Sequence, residues 1–366
     1  SRKFIVDMMN VDVNGIDVMA VSVYPQEGNP LWEQWSTKTV ASALKSYSKM
    51  TFDYPYHKAV SVHADDVGME YPMICFNFGR PDENGKYSDR TKFGMIGVII
   101  HEVGHNFFPM IVNSDERQWG WMDEGLNSFV QIIAEQDFGK AHPDAIPGMD
   151  HYPSDDMDPQ NIVPYMSGDQ DFIAPIMANP ENVYQLGPNA YSKPATALNI
   201  LRETVMGREL FDHAFKTFSQ RWMFKHPTPE DFFRTMEDAS AFDLDWFWRG
   251  WFFTTDVVDM GVTEVKDIKK FDDDMRYFSR YFTNSLRNLT PDAFKNRKEP
   301  KKFYKVTFEK PGGIPMPLIV EYAYADGTKE RKTYPAQVWR KSDREVSKYI
   351  ATDKEIVGVL VDPDNA

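Results

Sequence analysis

A single cysteine, Cys75, in 366 residues excludes an internal disulfide and a cysteine-built zinc ribbon. No stretch approaches the roughly 18 to 20 consecutive apolar residues that a spanning helix needs, so no membrane span is expected. The first residues, SRKFIVDMMNVDVNG, show neither a starting Met nor a signal-peptide layout. They read as the start of a mature or truncated chain, soluble and of open compartment, with a periplasmic or secreted full-length protein among the options. Basic residues are scarce: residues 1–261 carry 20 of them against 38 acidic ones. Such a surface argues against a nucleic-acid partner. No internal repeat is found.

What is present suffices for a buried core, since 42% of the residues are hydrophobic and 14% aromatic. Cys75 is expected within it, as a strand residue. Residues 1–90 mix short β-prone runs, AVSVHADD and YPMICFNFG, with turn signals, and read as a hairpin-like β lobe. From 91 to about 261 helical patterns dominate. TKFGMIGVIIHEVGHNFF is stopped by Pro109, EGLNSFVQIIAEQDFG by Gly139, and KPATALNILRETVMG is opened by Pro194. The stretch 262–302 reads as a charged linker. Residues 303–366 turn to β patterning, with Asp326-Gly327 as a hairpin signal.

The segment VIIHEVGHNFFPMIV, residues 98–112, sets three ionisable groups in an apolar helical run, where they need partners. On a helix His101 and His105 lie one turn apart on one face and can grip one metal ion. Glu102, rotated by about 100°, is placed to reach a water held there and badly placed to chelate. A catalytic zinc takes three protein ligands, and Glu124 in WGWMDEGLNSFVQ, nineteen residues after His105, stands at the start of the next helix. Glu124 reads equally as a first-turn glutamate favoured by the helix dipole, and Asp123 as an N-cap.

His101, Glu102, His105 and Glu124, in the pattern H-E-x-x-H, eighteen residues, E-G, resemble the gluzincin metallopeptidases and more closely the aminopeptidase N family. WMDEG stands where that family has WLNEG, GMEY at 68–71 is similar to its G-x-M-E-N motif, and AYSKPATALNIL is similar to its Y-x-K-G segment. The likeness spans roughly residues 60–205 and extends through DLDWFWRGWFFTT to about 255. The chain departs from it in three places: Tyr71 replaces an asparagine, Pro194 a glycine, and NFFPM follows the second histidine in place of QWFGN.

The resemblance implies an α+β fold, with a thermolysin-like domain over 1–261 followed by a small β-sandwich-like domain over 303–366. It implies one Zn2+ per chain on His101, His105 and Glu124, with Glu102 as general base and Tyr191 supporting the oxyanion. It further implies that Gly68, Met69 and Glu70 bind substrate, the Glu70 carboxylate holding a peptide's free α-amino group. Read without it, Tyr191 is a core tyrosine and Glu70 a strand-end glutamate. The expected activity is zinc-dependent removal of the N-terminal residue from peptides. The same residues also serve a non-catalytic zinc-containing interaction domain, an endopeptidase or an epoxide hydrolase. The family normally carries a β-sandwich domain upstream, which is the expected partner of this chain.

Overall fold

The computed structural model describes residues 2–154, 157–268 and 302–364. They fall into two compact units, Ser1–Thr255 and Asp256–Ala366.

The first unit opens with a mixed sheet. Strands β1 (Ile5–Val13) and β2 (Ile16–Tyr24) form a hairpin around Asn14-Gly15, both at positive φ, as a two-residue turn between twisted strands requires. The chain then crosses through helix α1 (Leu31–Met50) to β3 (Lys58–His63), which therefore lies parallel to β2. Strands β4 (Met69–Tyr71) and β5 (Ile74–Asn77) form a second hairpin, with β5 parallel to β3 and β4 on the edge, in the order β1-β2-β3-β5-β4.

The expectation of a hairpin-like β lobe is corrected on two counts: the inner pairings are parallel, and residues 31–50 are helical. Buried Ser36, Thr37, Thr39, Ser46 and Ser48 interrupt the apolar pattern of α1. The hydroxyls of Ser36 and Thr39 satisfy themselves on the carbonyls of Trp32 and Trp35 one turn back, at 2.6 and 2.9 Å.

Helix α2 (Asp89–Gly104) starts at Ser88, whose hydroxyl accepts from the Thr91 amide at 3.1 Å. It stops at Gly104 and does not run to Pro109. The Asn106 and Phe107 amides bond three residues back, and the Asn106 side chain donates to the Val103 carbonyl at 2.9 Å. That side chain competes with the helical ladder and tightens its end. Helix α3 (Leu126–Ala141) continues without a break from a π turn, Trp121–Gly125.

Gly139 is not a stop. A Cβ there would stand 3.1 Å from Ile146 and 3.2 Å from Tyr152, so the glycine serves close packing. After the short α4 (Val163–Met166), a second π turn (Gly187–Ser192) leads into α5 (Lys193–Ile200) and a third (Leu201–Met206). Helices α6 (Arg208–Trp222), α7 (Pro229–Ser240) and α8 (Asp245–Phe253) complete the unit. Phe233 of α7 stacks on Trp121 at 5.8 Å and Phe252 of α8 meets it edge-on at 4.8 Å, bracing the first π turn.

The second unit holds β6 (Gly261–Asp267), β7 (Lys302–Glu309), β8 (Leu318–Tyr324), β9 (Lys329–Tyr334), β10 (Glu345–Thr352) and β11 (Ile356–Val361). They make two three-stranded sheets, β10-β7-β6 and β11-β8-β9, that share a core of Val306, Phe308, Leu318, Val320 and Tyr322. Asp326-Gly327 turns the β8–β9 hairpin, with Gly327 at φ 81°. Of the expected linker, 269–301 lies outside the described residues, and 262–267 belongs to β6. Among the described residues no helix is long and apolar enough to cross a membrane.

Candidate metal centre

The end of α2 presents His101 and His105 with their Nε2 atoms 3.0 Å apart. The Trp121–Gly125 π turn aims Glu124 at both: its Oε2 lies 3.1 Å from His101 Nε2 and 3.3 Å from His105 Nε2. Each imidazole is held from behind by acceptors. His101 Nδ1 donates to Gln131 Oε1 at 2.8 Å, and the Gln131 amide donates onward to Glu135 at 2.8 Å, which fixes its orientation. His105 Nδ1 faces the Phe108 carbonyl at 2.9 Å and Asp123 Oδ1 at 3.0 Å. The ring protons therefore sit on Nδ1, and both bare Nε2 lone pairs converge on a carboxylate.

Three lone-pair donors in one triangle repel one another unless a cation stands among them. Their spacing agrees with a tetrahedral zinc site, whose ligand atoms lie about 3.3 Å apart for bonds of about 2.0 to 2.1 Å. Two imidazoles and a carboxylate are also the donor types zinc prefers, so the residues present fit the ion.

Burial governs the surrounding charges. It pushes the Glu102 carboxyl up to about 7, against the lowering influence of His101 and His105 and together with that of Glu70 and Glu124. Glu102 Oε2 is buried and has no hydrogen-bond partner among the described residues. Burial likewise pushes Asp123 up to about 7 against the pull of His105. Glu124 is itself buried, yet the close approach of the two imidazoles, His101 before His105, holds its carboxyl well below the usual range. The Tyr191 hydroxyl is raised by burial and then by the neighbouring Glu124 carboxylate. Its ring lies over that of His101 with centroids 5.8 Å apart.

The structure thus brings together Glu70, His101, Glu102, His105, Glu124 and Tyr191. The Glu70 carboxylate comes within 4.8 Å of ligand atoms on His105 and Asp123. Gly68 closes over Glu102: a Cβ at that position would stand 2.7 Å from Glu102 Oε1 and 2.8 Å from Val98 Cγ2. Met69 is the exception among the expected substrate contacts. Its side chain shares the sheet face of Phe76, opposite the face of Glu70. Asp123 is no N-cap, because α3 continues from the π turn and the carboxylate is buried beside His105. Gln131 does not stand out in the sequence, although its place seven residues after Glu124, two turns along the same helix face, is a usable signal.

Residues 35–251 match the peptidase family M1 domain. Leucine aminopeptidase 2 of Emericella nidulans is 29% identical over 203 residues, covering 51% of this chain and 30% of that protein. Glutamyl aminopeptidase of Bos taurus is 25% identical over 215 residues, covering 56% and 21%. The chain spans less than a third of the length of these curated relatives. Legionella pneumophila aminopeptidase A, solved with aspartic acid, shares the fold with a TM-score of 0.62 at 14% identity over 98% of this chain and 37% of that one. An M1 zinc metallopeptidase from Deinococcus radiodurans does so with 0.51 at 14% identity, over 68% and 51%.

Proposed function

Because the chain belongs to peptidase family M1, we propose that it acts as a zinc-dependent aminopeptidase, releasing the N-terminal residue of a peptide by attack of water. The observation that carries this reading is the convergence of the two bare imidazole nitrogens and the Glu124 carboxylate at 3.0 to 3.3 Å. When bound there, zinc would supply Lewis-acid polarisation and a water acidified towards neutrality. The remaining work falls to side chains. Glu102, with an unpartnered oxygen, takes the attacking water's proton and returns it to the departing amine. The Tyr191 hydroxyl, kept protonated by its surroundings, donates to the oxyanion as it forms. Glu70 pairs with the substrate's ammonium, so that only the first peptide bond reaches the centre, and the free edge of β4 offers main-chain bonds to the peptide.

A panel of aminoacyl amides with free and acetylated amines tests this directly. The free-amine substrates should be cleaved and their acetylated forms left intact. Glu70→Ala should lower kcat/KM on the free amines by roughly 30-fold or more, the cost of leaving one charge of a desolvated pair alone. Equal cleavage of acetylated peptides at internal bonds would make the protein an endopeptidase and sink the proposal.

The proposed partner is an upstream β domain of the same protein, and the support is the outer face of the five-stranded sheet. Register aligns Val6, Val23, Val62, Phe76 and Met69 in one row across the strands, and Met8, Val21, Val60, Ile74 and Tyr71 in the next. Every residue in both rows is apolar, yet Val6 is 56%, Met8 61% and Tyr71 49% exposed. Such a face suits a second sheet laid across it at about 10 Å. The chain alone should therefore self-associate, and Met8→Lys with Ile74→Lys should suppress this in sedimentation. A wild-type chain that stays monomeric at high concentration, like the variant, would remove the support.

A further inference from the structure

The hairpin that carries Glu70 is held in an unusual conformation. Tyr71 pairs with Ile74, so Pro72-Met73 is a two-residue turn, and Met73 sits at φ +64°. Proline first and a left-handed residue second describe a type II turn, which takes glycine at its second position and splays the strands it joins. A methionine there is strained by its Cβ, so something outside the turn must hold it. Two bonds do. The Met73 carbonyl accepts from the Val60 amide at 3.0 Å, and the Met73 amide donates to Asn106 Oδ1 at 2.8 Å.

Asn106 is 2% exposed and directly follows His105. Its Nδ2 donates to the Val103 carbonyl at 2.9 Å, and its Oδ1 also receives the Tyr54 hydroxyl at 3.4 Å. One side chain thus ties the end of the metal helix to the turn three residues beyond Glu70. We propose that Asn106 is a positioning residue that sets the Glu70 carboxylate at its working distance from the metal centre by holding the Pro72-Met73 turn.

The inference rests on the aminopeptidase reading and concerns substrate binding. Asn106→Ala leaves the half-buried Met73 amide without this partner and frees a strained turn, so Glu70 should drift. KM for a free-amine aminoacyl amide should rise roughly tenfold, with kcat changed by no more than about threefold and zinc still at one per chain. Adding Met73→Gly should restore KM to within about threefold of the wild type, because glycine adopts positive φ unaided. Met73→Gly alone should behave as wild type.

A merely structural Asn106 would lower the melting temperature without this rescue. The proposal is overturned if Asn106→Ala keeps the wild-type KM, or if the double variant stays as impaired as Asn106→Ala. Amide hydrogen exchange at Met73, slow in the wild type and fast in Asn106→Ala, reads the hydrogen bond independently of turnover. A wild type indifferent to acetylation of the amine brings down the aminopeptidase reading and this role with it. A wild type that requires the free amine, beside an unaffected Asn106→Ala, brings down the role alone.

Discussion

Glu102→Gln should reduce turnover by roughly 10²- to 10⁴-fold while leaving one zinc per chain, the loss typical of removing a positioned proton acceptor. The substitution conserves volume in a cramped place. Glu102 is 5% exposed, close under Gly68 and near Val98. A glutamine amide fits that slot, and neither of its ends can carry a water proton to a leaving amine. Metal retention follows because Glu102 is absent from the converging set of His101, His105 and Glu124. The measurement is zinc stoichiometry beside kcat on a free-amine substrate. A variant that keeps zinc and also keeps turnover would disprove the assignment of the base.

Removing the metal should abolish turnover and lower the melting temperature, and both should return on adding zinc. Without a cation, the two Nε2 atoms 3.0 Å apart must relieve their repulsion by taking up a proton or moving apart, and Glu124 loses its counter-charge. The stabilisation follows mass action, about 4 kcal/mol when free zinc stands a thousandfold above its dissociation constant. Asp123→Ala should act in the same direction and more weakly, costing 10- to 100-fold in zinc affinity, because it removes the carboxylate that orients His105. A chelator that leaves both turnover and the unfolding transition untouched would refute the metal centre.

The parts of this site legible in the sequence are those that depend on local spacing. His101 and His105 share a face because four residues make about one helical turn, and Asp326-Gly327 turns because its glycine accepts positive φ. What spacing could not disclose is what long-range contacts decide. Helix α1 hides behind buried hydroxyl residues, of which Ser36 and Thr39 bond to the preceding turn while Thr37 and Ser46 reach Asp7 and Asp137. The parallel pairing of β2 with β3 exists only because that helix crosses between them. Asp123 looks like a cap from its neighbours and becomes a histidine orienter only once α2 is packed against it. Met69 belongs to the same GMEY motif as Glu70 and faces the other way, since a strand alternates. The left-handed Met73 gives no sign in the sequence, because the residue that compensates it lies 33 positions away.

Glu124 and Tyr191 both stand on π turns, each of which is an α-helix that has accepted one extra residue. In terms of insertion and deletion, the active geometry is bought with two local insertions. Deleting one residue from either turn would give a more regular helix and swing the following side chains by about 100°. Substitutions around these turns can be exchanged one at a time, whereas a change of length at Trp121–Gly125 or Gly187–Ser192 moves a whole face at once. A lineage can therefore drift far in identity while its residue count through these two segments stays fixed.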